Sequence, residues 1–139
     1  MKARKVKGLE SAAPLRANAA LILATRLDEL QELSAEALEP GAETALHDMR
    51  IAAKRLRYVL EIADPCFGPE AEAARRLAKE LQSLMGDIHD CDVMLTRVEG
   101  IATMEALLRT RRELLHGRFR ELWAADETQE ALSGLSRAL

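Results

Sequence analysis

The chain has 139 residues, enough for one core and one domain and too few for two domains of ordinary size. Hydrophobic residues make up 48% and aromatics only 3%, and the abundance of Ala and Leu with few Gly and Pro predicts an all-α fold; no strand pattern is present. A net charge of -3 excludes a surface coated in positive charge for indiscriminate nucleic-acid binding, but the charge is unevenly placed. Every charged residue from Asp28 to Asp48 is acidic, whereas Arg50, Lys54, Arg55 and Arg57 follow with no acid before Glu61.

Residues 1–10, with Lys2, Arg4, Lys5 and Lys7, read as a flexible basic arm ahead of a single helical domain over residues 11–139. The apolar run 19–24 is too short for a secretory signal and no cleavage-site pattern follows it. No segment approaches the roughly 20 apolar residues of a membrane span. These features predict a cytoplasmic chain with no membrane partner. Cys66 and Cys91 form no Cys-x-x-Cys pair and no disulfide framework, so both read as reduced thiols.

Ser11 as a cap and Pro14 in the first turn predict a first helix running to about Leu38, with Ala20, Leu23, Leu27, Leu30 and Leu33 on its buried stripe. Pro40-Gly41 breaks it. A second helix over residues 43–63 ends before Asp64-Pro65 because proline removes a helical donor. At about 100° per residue, His47, Arg50, Lys54, Arg57 and Tyr58 share one arc of this helix, opposite Leu46, Met49, Ala53, Leu56 and Leu60. The short loop 64–68 forces an antiparallel hairpin into a third helix.

Pro69 opens that third helix, and Leu77, Leu81, Leu84, Ile88, Cys91 and Leu95 keep one face through Gly86 to about Val98. A glycine inside a continuous helix suggests the close approach of another backbone or of a ligand. Gly100 ends the element. A fourth helix over residues 103–125 places Leu107, Leu108, Leu114, Leu115 and Leu122 on its core side and Arg109, Arg112, His116 and Arg120 on another. Leu132, Leu135 and Leu139 suggest a short last helix. The simplest architecture that buries every stripe is an antiparallel four-helix bundle, with or without that last helix.

Cationic faces on three helices (His47, Arg50, Lys54 and Arg57; Arg75, Lys79 and His89; Arg109, Arg112, His116 and Arg120) suit an anion with repeating phosphates, because guanidinium binds phosphate as a bidentate fork and lysine adds a point charge. A solvated face paired with acids of neighbouring helices is the alternative. The run Asp87-Ile88-His89-Asp90-Cys91-Asp92 offers metal-ligand types, but helical spacing scatters them, so no metal site is assigned and Asp90 or Asp92 is expected to orient a basic residue of another helix. Cys91 falls on the core stripe. There is no phosphate-binding glycine loop, no nucleophile elbow and no nucleophile beside His47, so the chain reads as a non-enzyme without cofactors.

Two segments, LHDMRIAAKRLRYVLE (46–61) and LQSLMGDIHDCDV (81–93), resemble the CHAD domain, the conserved-histidine α-helical domain. That resemblance implies a helical bundle with a basic surface that binds inorganic polyphosphate. It carries over His47, Arg50, Lys54, Arg55 and Arg57 from the first motif, His89 at a position the family fills with a basic residue or histidine, and Asp90 and Asp92 as its paired acids. The family carries two helical halves, each with a His-x-x-Arg helix, and this chain carries one. A homodimer would restore the second, with Leu132, Leu135 and Leu139 as candidate apolar contacts. The expectation is therefore non-catalytic binding of polyphosphate or a similar phosphate-rich anion, in the cytoplasm and with polyphosphate granules as an open alternative location. An RNA or nucleotide binder and a metal-binding helical protein are the competing readings.

Overall fold

A computed structural model describes residues 1–139 as five α-helices and one 3₁₀ turn, without strands: α1 (Leu15–Ala37), α2 (Thr44–Ala63), the 3₁₀ turn (Asp64–Cys66), α3 (Pro69–Arg97), α4 (Ala102–Ala124) and α5 (Asp126–Ala138). The boundaries follow the sequence signals to within a residue or so. Pro14 precedes α1 and its carbonyl accepts from the Ala17 and Asn18 N–H groups, whereas Ser11 makes no cap. Gly41, at φ +76, supplies the left-handed residue that turns α1 into α2. Pro65 sits in the 3₁₀ turn, and Pro69 occupies the first turn of α3, where its missing N–H costs nothing. No helix is long and apolar enough to cross a membrane.

Leucine and alanine decide the packing. On α2, Leu46, Met49, Ala52, Ala53, Leu56, Leu60 and Ala63 are all buried, between α1 on one side and α3 on the other. Alanines 71, 74 and 78 of α3 are likewise buried, and such small side chains let helix backbones approach closely. Along the groove between them, α2 and α3 run in opposite directions. His47 lies against His89, Arg50 against Gly86, and Arg112 of α4 against Asp92 of α3. The centre of the assembly is α3, which packs on α2, α4 and α5, while α5 touches α1 lightly.

Two expectations change. Of the leucines assigned to the core side of α4, Leu115 alone is buried; Leu108 and Leu122 are half-buried, and Leu107 and Leu114 are 73% and 59% exposed. Leucine stands on two sides of this helix, so periodicity could not choose its phase. The choice goes to the side that buries Phe119 and Trp123, whose larger apolar area outweighs that of leucine. The C-terminal residues form a complete fifth helix whose Leu132 and Leu135 lie in the core, with Leu139 packed against it. They are therefore not free to face a second subunit.

Polar ties hold the ends. Glu29 is buried, yet its carboxylate accepts from the Arg4 backbone N–H (2.6 Å) and from Arg26 Nη1 (2.7 Å), so residues 1–10, which form no helix, run along α1. Arg16 lies over the Phe67 ring, donates to the Cys66 carbonyl and reaches the Ala138 carbonyl, joining α1, the α2–α3 connection and α5. Asp92 and Arg112 form an ion pair with side-chain exposures of only 8% and 11%. Cys91 is buried and its thiol is pushed above the ordinary range by loss of solvent, as befits a packing residue.

Because Leu56 is 1% exposed at the centre of α2, Leu56→Ala should cost about 2–5 kcal/mol, read by denaturant or thermal unfolding. A change within about 0.5 kcal/mol would be surface behaviour and would contradict this burial. In the first turn of α3, hydrogen bonds from Arg75 and Arg76 hold the Glu72 carboxyl at about 2. Its folded value lies below the unfolded one, so its contribution to stability is present above the ordinary carboxylate range and is lost as pH falls toward 2. A carbon-detected NMR titration should show the Glu72 carboxyl still ionised well below the ordinary carboxylate range, with its midpoint at about 2.

Candidate functional site

The cationic arc of α2 survives folding as a surface because the opposite arc is fully occupied by the core. Across the α2–α3 hairpin it meets α3 residues that also recur at three and four, and together they enclose a groove of about 340 Å³ with no apolar side chain in its lining. Arg50, Arg57 and Lys79 supply the cations, Gln82, Ser83 and Gly86 the floor, and Asp87 and Asp90 two carboxylates along the α3 side. No carboxylate stands within ion-pair distance of Arg50, Lys54 or Lys79. Each therefore presents a full charge to whatever enters.

Gly86 answers the question raised by its place in a continuous helix. A Cβ there would stand 3.6 Å from Arg50 Nε, so the guanidinium of α2 lies over the glycine of α3. That separation is an ordinary contact. The gain from glycine is the extra depth of the groove beside Arg50, set against the roughly 1 kcal/mol that glycine costs inside a helix.

One end of the site is a pair of imidazoles. The His47 and His89 ring centroids are 4.8 Å apart with a tilt of 36°. His47 Nδ1 is buried without a hydrogen-bond partner, which leaves Nε2 as the nitrogen available to a ligand. The other end has its own unsatisfied atoms. Gln82 Oε1 and Arg57 Nε are both buried and unpartnered, although Arg57 Nε lies 3.3 Å from Glu61 Oε1. Buried polar atoms without partners are uncommon in native folds, and two of them belong to residues that line the groove. Tyr58 underlies the outer edge: the Arg57 guanidinium stands 4.8 Å and the Lys54 ammonium 5.7 Å from its ring centroid.

Other residues expected at the site lie elsewhere. Arg55 is half-buried on a different side of α2, where Nη2 donates to the Met1 carbonyl at 2.7 Å. Arg75 is bound to Glu72 on its own helix, and that carboxylate, with Glu61 and Asp64, raises its pKa. Its charge is spoken for. The four residues of α4 gather in a separate cleft, where Arg112 pairs with Asp92 and His116 Nε2 donates to the Ala37 carbonyl at 2.9 Å. Asp92 thus orients a basic residue of a neighbouring helix, as expected, while Asp90 remains in the groove.

Gln82 and Ser83 escaped the sequence reading. They share the arc of Lys79, Gly86 and His89, but neutral side chains carry no charge pattern to mark them. No group of three or more His, Cys, Asp or Glu side chains is placed to hold a metal ion. His89, Asp90 and Asp92 diverge around α3, with Asp92 turned toward α4.

No protein of curated function matches the chain, and no solved structure does. A family model described as CHAD domain matches residues 2–99, which takes in α1, α2, α3 and every residue that lines the groove. A cationic α2 face set against α3, inside a match that covers more than half of the sequence, places this chain in the CHAD domain family.

Proposed function

We propose that the chain binds inorganic polyphosphate, or a chemically similar run of phosphates, along the α2–α3 groove without catalysing a reaction on it. The observation that carries this reading is the set of cations without a carboxylate partner, Arg50 and Lys79 lining the groove and Lys54 on the same face of α2, with Arg57 beside them, on two helices whose other faces are buried. Association of CHAD domains with polyphosphate supports it. Arg50 and Arg57 are two turns apart, roughly 10 Å along the helix, so a single phosphate reaches one of them and a chain reaches both. Asp87 and Asp90 select for a ligand that keeps to the α2 side. The groove offers cations and amide groups but no nucleophile paired with a base, and binding alone needs nothing more.

An antiparallel bundle acting in pairs belongs to the same reading. We place the second copy against the exposed face of α4, where Met104, Leu107 and Leu114 are 41%, 73% and 59% exposed, because apolar side chains on successive turns gain from leaving water. A second copy would add a second His47-to-Arg57 face, the number of such faces that the resembled family carries.

Reversing two charges, with Arg50→Glu and Lys54→Glu together, should weaken polyphosphate binding about a hundredfold or more while far-ultraviolet circular dichroism stays unchanged, since neither side chain is in the core. For the native chain, log affinity should fall with log salt at a slope of roughly -2 to -3, as expected when three or four cations are neutralised. Unaltered affinity in the double variant would remove the groove as the site, and RNA outcompeting polyphosphate at equal phosphate concentration would assign it to nucleic acid. Sedimentation across micromolar concentrations should show a dimer that Leu114→Asp converts to a monomer; a native monomer throughout would reject the pairing.

A further inference from the structure

The cleft at α4 lies outside the groove and has a chemistry of its own. It is walled by Arg109, Arg112, His116 and Arg120 from successive turns of α4, facing the Pro40-Gly41 turn between α1 and α2, with a volume of about 280 Å³ and no apolar side chain in its lining other than proline. Glu113 is its one carboxylate. Arg120 has no ion-pair partner, and Arg109 reaches Glu105 only at 3.4 Å while remaining 66% exposed. Arg109 and Arg120 thus line one cleft with little to neutralise them.

Arg112 is fixed in place. Its Nε donates to Asp92 and its Nη2 to the Ala42 carbonyl, each at 2.5 Å, which leaves Nη1 without a protein acceptor and in reach of solvent. His116 is fixed as well. Since a carbonyl can only accept, the proton of its Nε2 goes to Ala37, and Nδ1 is left without a protein partner. The far side, at the α1–α2 turn, is open backbone, where a Cβ added at Gly41 would meet nothing within 4 Å and the Gly41 N–H makes no backbone hydrogen bond; on the α4 wall a Cβ at Gly117 would likewise meet nothing. A fixed donor, two exposed guanidiniums and a free amide around a polar hollow form a receptor for oxygen atoms carrying negative charge.

We infer that this cleft is a second anion site, distinct from the α2–α3 groove, for a compact phosphate anion of the pyrophosphate class. Its volume is below that of ordinary small-molecule pockets, and it lacks any apolar or aromatic wall on which a base could stack, so the phosphates are the recognised part. Arg112 is the preformed side, and Arg109 and Arg120 reach the ligand from solvent.

The test is a proton–nitrogen NMR titration of the full chain with inorganic pyrophosphate, following the Gly41, Gly117 and Gly86 amides. Saturable shifts at Gly41 and Gly117 are expected, weakened about tenfold or more by Arg109→Gln with Arg120→Glu, which is the loss of at least one charge-assisted contact. The same two amides should respond normally in the Arg50→Glu, Lys54→Glu variant, so this cleft and the groove marked by Gly86 stand or fall separately. Both cleft substitutions are at exposed side chains, and unchanged amide positions elsewhere report that the fold is intact. No saturable response at Gly41 and Gly117, or equal losses in the two variants, would overturn the inference. ATP in place of pyrophosphate should bind no more tightly; a tighter fit by about tenfold would assign the cleft to a nucleotide instead.

Discussion

A row of like charges on one helix is held in register only if something other than the charges holds the helix. In α2 that restraint is the buried arc from Leu46 to Ala63, locked between α1 and α3 by leucines and by alanines that allow close approach. Arg50, Lys54 and Arg57 repel one another, and an isolated helix with this face would lose stability to that repulsion. Here the core sets the phase of the helix, and the repulsion becomes a standing attraction for anions. The remaining features of the site depend on this anchoring: the groove depth over Gly86, the contact of His47 with His89, and the unpartnered atoms at each end.

Elsewhere several cations are held by protein partners. Arg4 and Arg26 share the acids of α1, Arg16 spends its donors on carbonyls, Arg75 and Arg76 share Glu72, and Arg112 is buried against Asp92. Cations without an ion pair also stand elsewhere, at Lys2, Lys5, Lys7, Arg97, Arg111 and Arg118, but Arg50 and Lys79 line one hollow together, and this local arrangement carries more information than the net charge of -3. Such pairing also explains how a chain with an excess of acids presents a basic groove. Its glutamates are placed largely on other helical faces and on α1, while only Asp87 and Asp90 line the groove itself.

The two cationic places differ in how they are built. The α2–α3 groove is long, set by two parallel rows of side chains, and suits a ligand with repeated charge. The α4 cleft is short and closed by a turn, with Arg112 immobilised by a desolvated ion pair with Asp92 and by one further hydrogen bond to the Ala42 carbonyl. An orienting acid in one place and free ammonium groups in the other give the two sites different rigidity. A rigid donor favours one geometry of anion, whereas a row of exposed lysine and arginine tolerates many.

Much of this was legible from residue spacing. The phase of α2 and its buried stripe follow from a 3.6-residue repeat in which apolar and cationic positions never compete for the same arc, and the hairpin to α3 follows from the shortness of residues 64–68. The helices of this all-α chain, including α3 running through Gly86, are likewise local properties of composition, proline placement and periodicity. What only the tertiary structure decided was the rotation of α4, since its leucines occupy two sides and the burial of Phe119 and Trp123 depends on partners distant in sequence. That rotation carried Arg109, Arg112, His116 and Arg120 to the α1–α2 turn and away from the groove. Pairing is in part non-local: Glu72, three residues before Arg75, is a partner that helical spacing offers, but nothing near Arg55 or Lys79 in one dimension says that the first is claimed by the Met1 carbonyl and the second by no carboxylate, because charge is satisfied through space.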